Sequence, residues 1–173
     1  MRPFTALTIA LMSTAALAQA TIRLDAPKEW MVQGTTSSMR VAQYALPRAA
    51  GDAEDAELIV YYFGGSGGSV QAKLDRWLGQ MEQPDGRPSK VVAKTSSLTA
   101  NTLTMTVLDV TGRYVAEISP GSPARHNKSG FRMKAVVIET PRGPYFVKLT
   151  GPEKTVGRWE SAFDGFLKSA RLP

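Results

Sequence analysis

The amino-acid sequence predicts an α+β domain, a largely antiparallel, twisted sheet of about six strands flanked by helices. Six segments carry the alternating or β-branched and aromatic pattern of strands, and two carry an apolar stripe at helical spacing. Only one of those helices falls between strands, whereas a doubly wound parallel sheet needs a crossover between most of them. No internal repeat, low-complexity tract or linker rich in Pro, Gly and Ser divides the chain, so residues 21–173 read as one domain.

Residues 1–20 read as a cleavable secretion signal. A basic start (Met1, Arg2) precedes an uncharged run from Phe4 to about Leu17, and Ala16-Leu17-Ala18 and Ala18-Gln19-Ala20 are both A-x-A cleavage sites. The run is shorter than the ~20 residues of a membrane-crossing helix and is interrupted by Thr5, Thr8, Ser13 and Thr14, which argues against a retained anchor. The absence of cysteine excludes a lipoprotein acyl site, disulfides, thiolate metal sites and a cysteine nucleophile. The expected location is therefore the periplasm or the exterior.

Past Trp30, residues 39–46 alternate, with Ala42, Tyr44 and Leu46 on one side. After a loop at 47–57 that holds Asp52, Glu54 and Asp55, Leu58-Ile59-Val60-Tyr61-Tyr62-Phe63 is a continuous run of the kind covered on both faces, which places it near the sheet's centre. Gly64 to Gly68 break that strand. From Ser69, the expected N-cap, the period becomes helical, with Val70, Leu74, Trp77, Leu78 and Met81 on one stripe. Pro84, Asp85-Gly86 and Pro88 mark a loop over 82–90.

Residues 91–98 and 102–110 read as strands joined by a hairpin at Ala100-Asn101. Residues 117–130 show no apolar period and hold Pro120, Gly121, Pro123, Asn127 and Gly130, which predicts a long irregular loop, a place where function concentrates. Residues 131–139 and 145–149 form a hairpin about Thr140-Pro141-Arg142-Gly143, with Pro second and Gly fourth as a type I turn favours. Thr150-Gly151-Pro152-Glu153 has capping-box spacing, and Val156, Trp159, Phe163, Phe166 and Leu167 supply the stripe of a C-terminal helix.

Several strings along this order resemble a group of small exported bacterial proteins without assigned activity. They are Phe63-Gly64-Gly65 leading into the Gly-Gly-Ser-Val-Gln helix start, Asp75-Arg76-Trp77 with Gln80, and Thr140-Pro141 through Gly143-Pro144-Tyr145 to Lys148-Leu149-Thr150-Gly151. Their element order is similar to the PsbP-like α/β/α sandwich, and the resemblance spans most of Trp30 to Leu167. It implies that fold. Because the best-known members are accessory subunits of larger assemblies, it also implies a protein that is not an enzyme; no ligand or catalytic residue carries over.

Three motifs compete with that reading. Gly64-Gly65-Ser66-Gly67-Gly68 fits the G-x-S-x-G nucleophile elbow between a strand and a helix, and Asp109 and His126 follow in the chain order of a Ser-Asp-His triad. The chemistry needs His126 within reach of Ser66 and oriented by a carboxylate. Five consecutive small residues match such a pattern by chance, and the parallel sheet that carries the elbow is missing. The same glycines precede a helix and would offer backbone N–H groups to an anion, but the string lacks the Lys-Ser/Thr ending of a P-loop. A lone His and the Asp52, Glu54 and Asp55 cluster do not make a metal site.

The formal charge is +6, with Arg113, Arg125, Lys128, Arg132, Lys134, Arg142 and Lys148 late in the chain against Glu117 and Glu139. Such a balance suits anionic partners, whereas export removes nucleic acid. The sequence thus predicts a non-enzymatic binding or accessory protein, monomeric and without cofactor or metal, whose partner is a protein or an anionic envelope component. Its expected contact residues are Gly64, Gly65, Ser66, Gly67, Gly68, Ser69 and Arg76, together with Arg125 and His126 in the 117–130 loop. The alternatives are a small serine hydrolase using Ser66 and a binder of anionic lipid or glycan surfaces.

Overall fold

The computed structural model describes residues 21–35, 37–65 and 68–173; the expected secretion signal, Ser66 and Gly67 lie outside the described residues. Eight strands form one sheet: β1 (Met31–Val32), β2 (Arg40–Leu46), β3 (Ala56–Tyr62), β4 (Met81–Glu82), β5 (Lys94–Ala100), β6 (Leu103–Tyr114), β7 (Lys128–Ile138) and β8 (Tyr145–Pro152). Every strand pairing is antiparallel, in the order β1-β2-β3-β8-β7-β6-β4 with β5 also on β6. The two strands beyond the expected six are the two-residue β1 and β4, too short for a sequence period to reveal. The helices are α1 (Val70–Leu78), α2 (Ser89–Val92), α3 (Glu153–Arg158) and α4 (Glu160–Lys168). No helix among the described residues is long and apolar enough to cross a membrane.

Because side chains alternate along a strand, each strand sends one set of residues to each face. On the first face Leu58, Val60, Met105, Val136, Ile138, Val147 and Leu149 pack with Phe163, Phe166 and Leu167 of α4. On the second face Leu108, Val110, Met133, Ala135, Val137 and Phe146 pack with Leu74 and Trp77 of α1. The most continuously apolar strands, β3, β8 and β7, are neighbours in the middle, as a strand buried on both faces requires. α1 packs over β6 and β7, so the β3 side of the second face carries no helix.

Ser69 caps α1 as expected, its hydroxyl accepting from the Ala72 N–H at 3.1 Å. The hairpin at 100–103 is also as expected: Asn101 (φ 47°) and Thr102 (φ 69°) both take the left-handed conformation of a tight hairpin turn. Four boundaries differ. Residues 89–92 form a helical turn instead of opening a strand, and β5 starts at Lys94. β6 runs on to Tyr114, and β7 starts at Lys128, inside the expected loop. Thr150 is not an N-cap. It pairs with Met133 and Glu57 on either side, so ladder bonds keep β8 extended to Pro152 and the helix begins at Glu153 without a side-chain cap. The C-terminal helix is broken at Trp159 (φ −96°, ψ 4°), whose indole N–H donates to the Pro47 carbonyl at 2.8 Å.

Candidate functional site: a basic and aromatic groove

The uncovered part of the second face is a groove of about 980 Å³. Its floor is the alternate residues Glu57, Ile59 and Tyr61 of β3 and Phe146, Lys148 and Thr150 of β8, which the register sets side by side. One wall is α1, with Lys73, Arg76 and Trp77, continued by Gln80 just past its end; Arg40 and Met39 border the side towards β2. The loop from Ala116 to His126 closes the far end.

That loop is tied down rather than irregular. The Ile118 N–H donates to the Ala124 carbonyl and the His126 N–H to the Ala116 carbonyl, at 3.1 and 2.9 Å, around a bridge between Glu117 and Arg125. The Val115 N–H donates to the Gln80 carbonyl at 2.9 Å, anchoring its start just beyond the end of α1.

Lys148 stands at the centre of the floor. Its ammonium donates to Gln80 Oε1 at 2.6 Å and to the Tyr114 hydroxyl at 3.0 Å, both neutral. Burial, with Arg76 and Arg40 nearby, pulls its pKa down to about 8, against a partial opposing pull from Glu57. Burial likewise pushes the Tyr114 phenol up to about 12. Lys73 lies over the rings of Phe63 and Phe146, 4.5 and 4.6 Å from their centroids, and its pKa is lowered by desolvation and by Arg76.

Among the described residues Arg40, Lys73, Arg76 and Lys148 form no ion pair with a carboxylate. Glu57, the carboxylate of the floor, accepts from Gln43 Nε2 at 2.8 Å. Thr150 is 8% exposed, and its hydroxyl has no hydrogen-bond partner among the described residues.

Of the residues predicted from sequence, Arg76, Arg125 and His126 line this groove. Arg125 is engaged by Glu117 (3.8 Å) and by the Val115 carbonyl (3.2 Å), and His126 stacks on Tyr114 with centroids 5.1 Å apart. Gly64, Gly65, Gly68 and Ser69 are not among its lining residues. Gly65 (φ 86°) instead meets the hairpin turn at 140–143, and a Cβ on Gly143 would stand 2.4 Å from the Gly65 Cα. The glycines here allow two turns to touch.

The triad is not assembled as the chain order suggested: Asp109 is held by Arg132 on the α4 face, opposite His126. The register also separates Lys148, paired with Ala135, from Arg132 and Lys134, which face α4, so the late basic residues do not share one surface. The acidic loop serves structure: Asp55 accepts from the Arg48 N–H at 2.9 Å, and Glu54 pairs with Lys128.

Sequence reasoning missed Lys148, Lys73, Arg40 and Tyr114 as site residues. A signal existed for the first, because Lys148 interrupts the otherwise apolar strand Tyr145-Phe146-Val147-Lys148-Leu149.

No protein-family description matches the sequence, and no curated protein matches it. Solved structures do. LpqN, involved in cell envelope biogenesis of Mycobacterium tuberculosis, is 12% identical over 92% of this chain and 87% of that chain, with a TM-score of 0.50. A cyanobacterial PsbP from Synechocystis sp. PCC 6803 is 12% identical over 94% of this chain and 99% of that one, with a TM-score of 0.47. A Pseudomonas aeruginosa protein of unknown function is 11% identical over 81% of this chain and 94% of that one, with a TM-score of 0.48. At these identities the likeness is one of fold alone. That fold, shared with LpqN, is the antiparallel sheet flanked by helices.

Proposed function

We propose that this chain is a non-enzymatic, extracytoplasmic binding protein that holds an anionic ligand in the groove. The observation that supports it is a set of four cations, Arg40, Lys73, Arg76 and Lys148, lining one cavity without a carboxylate partner. Drawing a cation partly out of water without a counter-charge raises the free energy of the folded protein. An anion in the groove removes that cost, so binding and stability rise together. The export reading rests on residues 1–20 and agrees with the envelope role of LpqN.

Backbone NMR during titration with inorganic phosphate, tripolyphosphate and decyl phosphate tests the reading. At least one of these anions is expected to shift amides concentrated at 73–80, 116–126 and 146–150. Shifts spread over all basic surfaces, or none with any anion, contradict it. A fluorophosphonate probe is expected to leave the protein unlabelled, and labelling abolished by Ser66→Ala would restore the hydrolase.

A further inference from the structure

Resting on that reading, we infer that the groove takes a small amphiphile, with an oxyanion head at Lys148 and Arg76 and an apolar body running towards Met39 and Ile118. Inorganic anions alone leave most of the cavity unused, since a phosphate is far smaller than about 980 Å³. The rest of the lining mixes polar side chains with an apolar strip: Ile59, Tyr61 and Phe63 lie along it, and Met39 and Ile118, 50% and 59% exposed, stand at its border. Exposed apolar side chains that converge on one concavity mark a binding surface more than scattered ones do.

The head-group end has its own chemistry. Lys148 spends two of its three N–H donors on Gln80 and Tyr114, which fixes the ammonium and leaves one donor unused among the described residues. The Thr150 hydroxyl, on the same face two residues along β8, is a further unused donor at the inner end. Arg76, exposed on α1, makes no hydrogen bond or ion pair among the described residues. Lys73 holds its ammonium over the rings of Phe63 and Phe146.

A flat membrane surface fits less well. The groove cations are recessed beside an apolar floor, and the cations of the opposite face, Arg132 and Lys134, are already paired with Asp109, Glu160 and Asp164. A single molecule entering the cavity matches this layout.

Isothermal titration with decyl phosphate below its micelle threshold, inorganic phosphate and decanol tests the inference. Each buried methylene raises affinity about fourfold, so decyl phosphate, burying roughly three to four methylenes in this open groove, is expected to bind one per chain, on the order of 100-fold more tightly than phosphate. Arg76→Gln, at an exposed position, is expected to weaken decyl phosphate about fivefold and leave decanol unchanged. Met39→Ser with Ile118→Ser is expected to weaken decyl phosphate and leave phosphate unchanged.

Equal affinity for phosphate and decyl phosphate overturns the amphiphile while leaving an anion groove. Binding to phosphatidylglycerol vesicles without binding to monomeric decyl phosphate overturns it in favour of a membrane surface. Failure of the exposed variants to change affinity, with unaltered circular dichroism, overturns the placement.

Discussion

Lys134 and Lys148 occupy adjacent positions of neighbouring strands, one paired with Leu149 and the other with Ala135, yet they point to opposite faces of the sheet. Lys134 is buried and meets Glu160 at 2.8 Å, in a cluster where Arg132 grips Asp109 and the same Glu160. Lys148 has only neutral partners. The first arrangement ties α4 to the sheet and leaves no charge to offer. The second keeps a cation in a partly dry cavity with no ion-paired carboxylate, and burial lowers its pKa although Glu57 on the same floor opposes the shift. Two basic residues that look alike in the sequence thus divide into a structural one and an available one according to whether a helix brings carboxylates to them.

The largest expected break in this contrast is Arg132→Met. It strands Asp109, leaves Glu160 with Lys134 alone, and should lower the unfolding free energy by about 2–3 kcal/mol, whereas Arg76→Met on the other face should change it by less than about 0.5 kcal/mol. Urea denaturation of both variants measures the difference, and equal losses would erase the distinction. Gly143→Ala should cost about 2 kcal/mol, because its left-handed backbone (φ 103°) and the contact with Gly65 both resist a side chain.

The two faces respond in separate pH windows, and in each the folded state gains stability as pH rises. The Arg132 and Lys134 contacts hold Glu160 near a pKa of about 2, below its ordinary 4.5, so its stabilisation is complete above the unfolded value and is lost as pH falls from about 5 towards 2. For Lys148 the folded value of about 8 lies below the ordinary 10.5, so between them the unfolded chain binds more protons. Stability relative to Lys148→Met should therefore rise between pH 8 and 10.5. Stability that falls as pH rises in either window would contradict the comparison. A smaller loss than that of Arg132→Met or Gly143→Ala, about 1 kcal/mol, is expected for Ser69→Ala, which removes the α1 cap, read from the same denaturation curves.

Much of the fold was legible because its determinants are local. The unbroken apolar run at 58–63 marked a central strand, the stripe from Val70 to Trp77 marked α1, and Pro141 with Gly143 marked a hairpin. The failures lie where distant pairing outweighs local preference. Thr150 has the chemistry of an N-cap, but it lies between two strands whose hydrogen bonds continue past it.

The groove was only half legible for the same reason. Arg76, Arg125 and His126 line it, whereas Gly65, of the glycine cluster that drew attention, meets the turn at 140–143. Lys148 becomes a site residue only because β3 and β8 are neighbours and α1 stops short of them, and neither fact is encoded near residue 148.

The claim that the groove cations await a counter-charge is tested most directly by NMR titration of protein carrying 13C-labelled lysine, with and without saturating decyl phosphate. In the free protein the Lys148 Cε resonance should titrate near pH 8, and the bound phosphate should raise that midpoint towards 10.5. A free midpoint already at the ordinary lysine value, or one that bound phosphate leaves in place, would contradict the account.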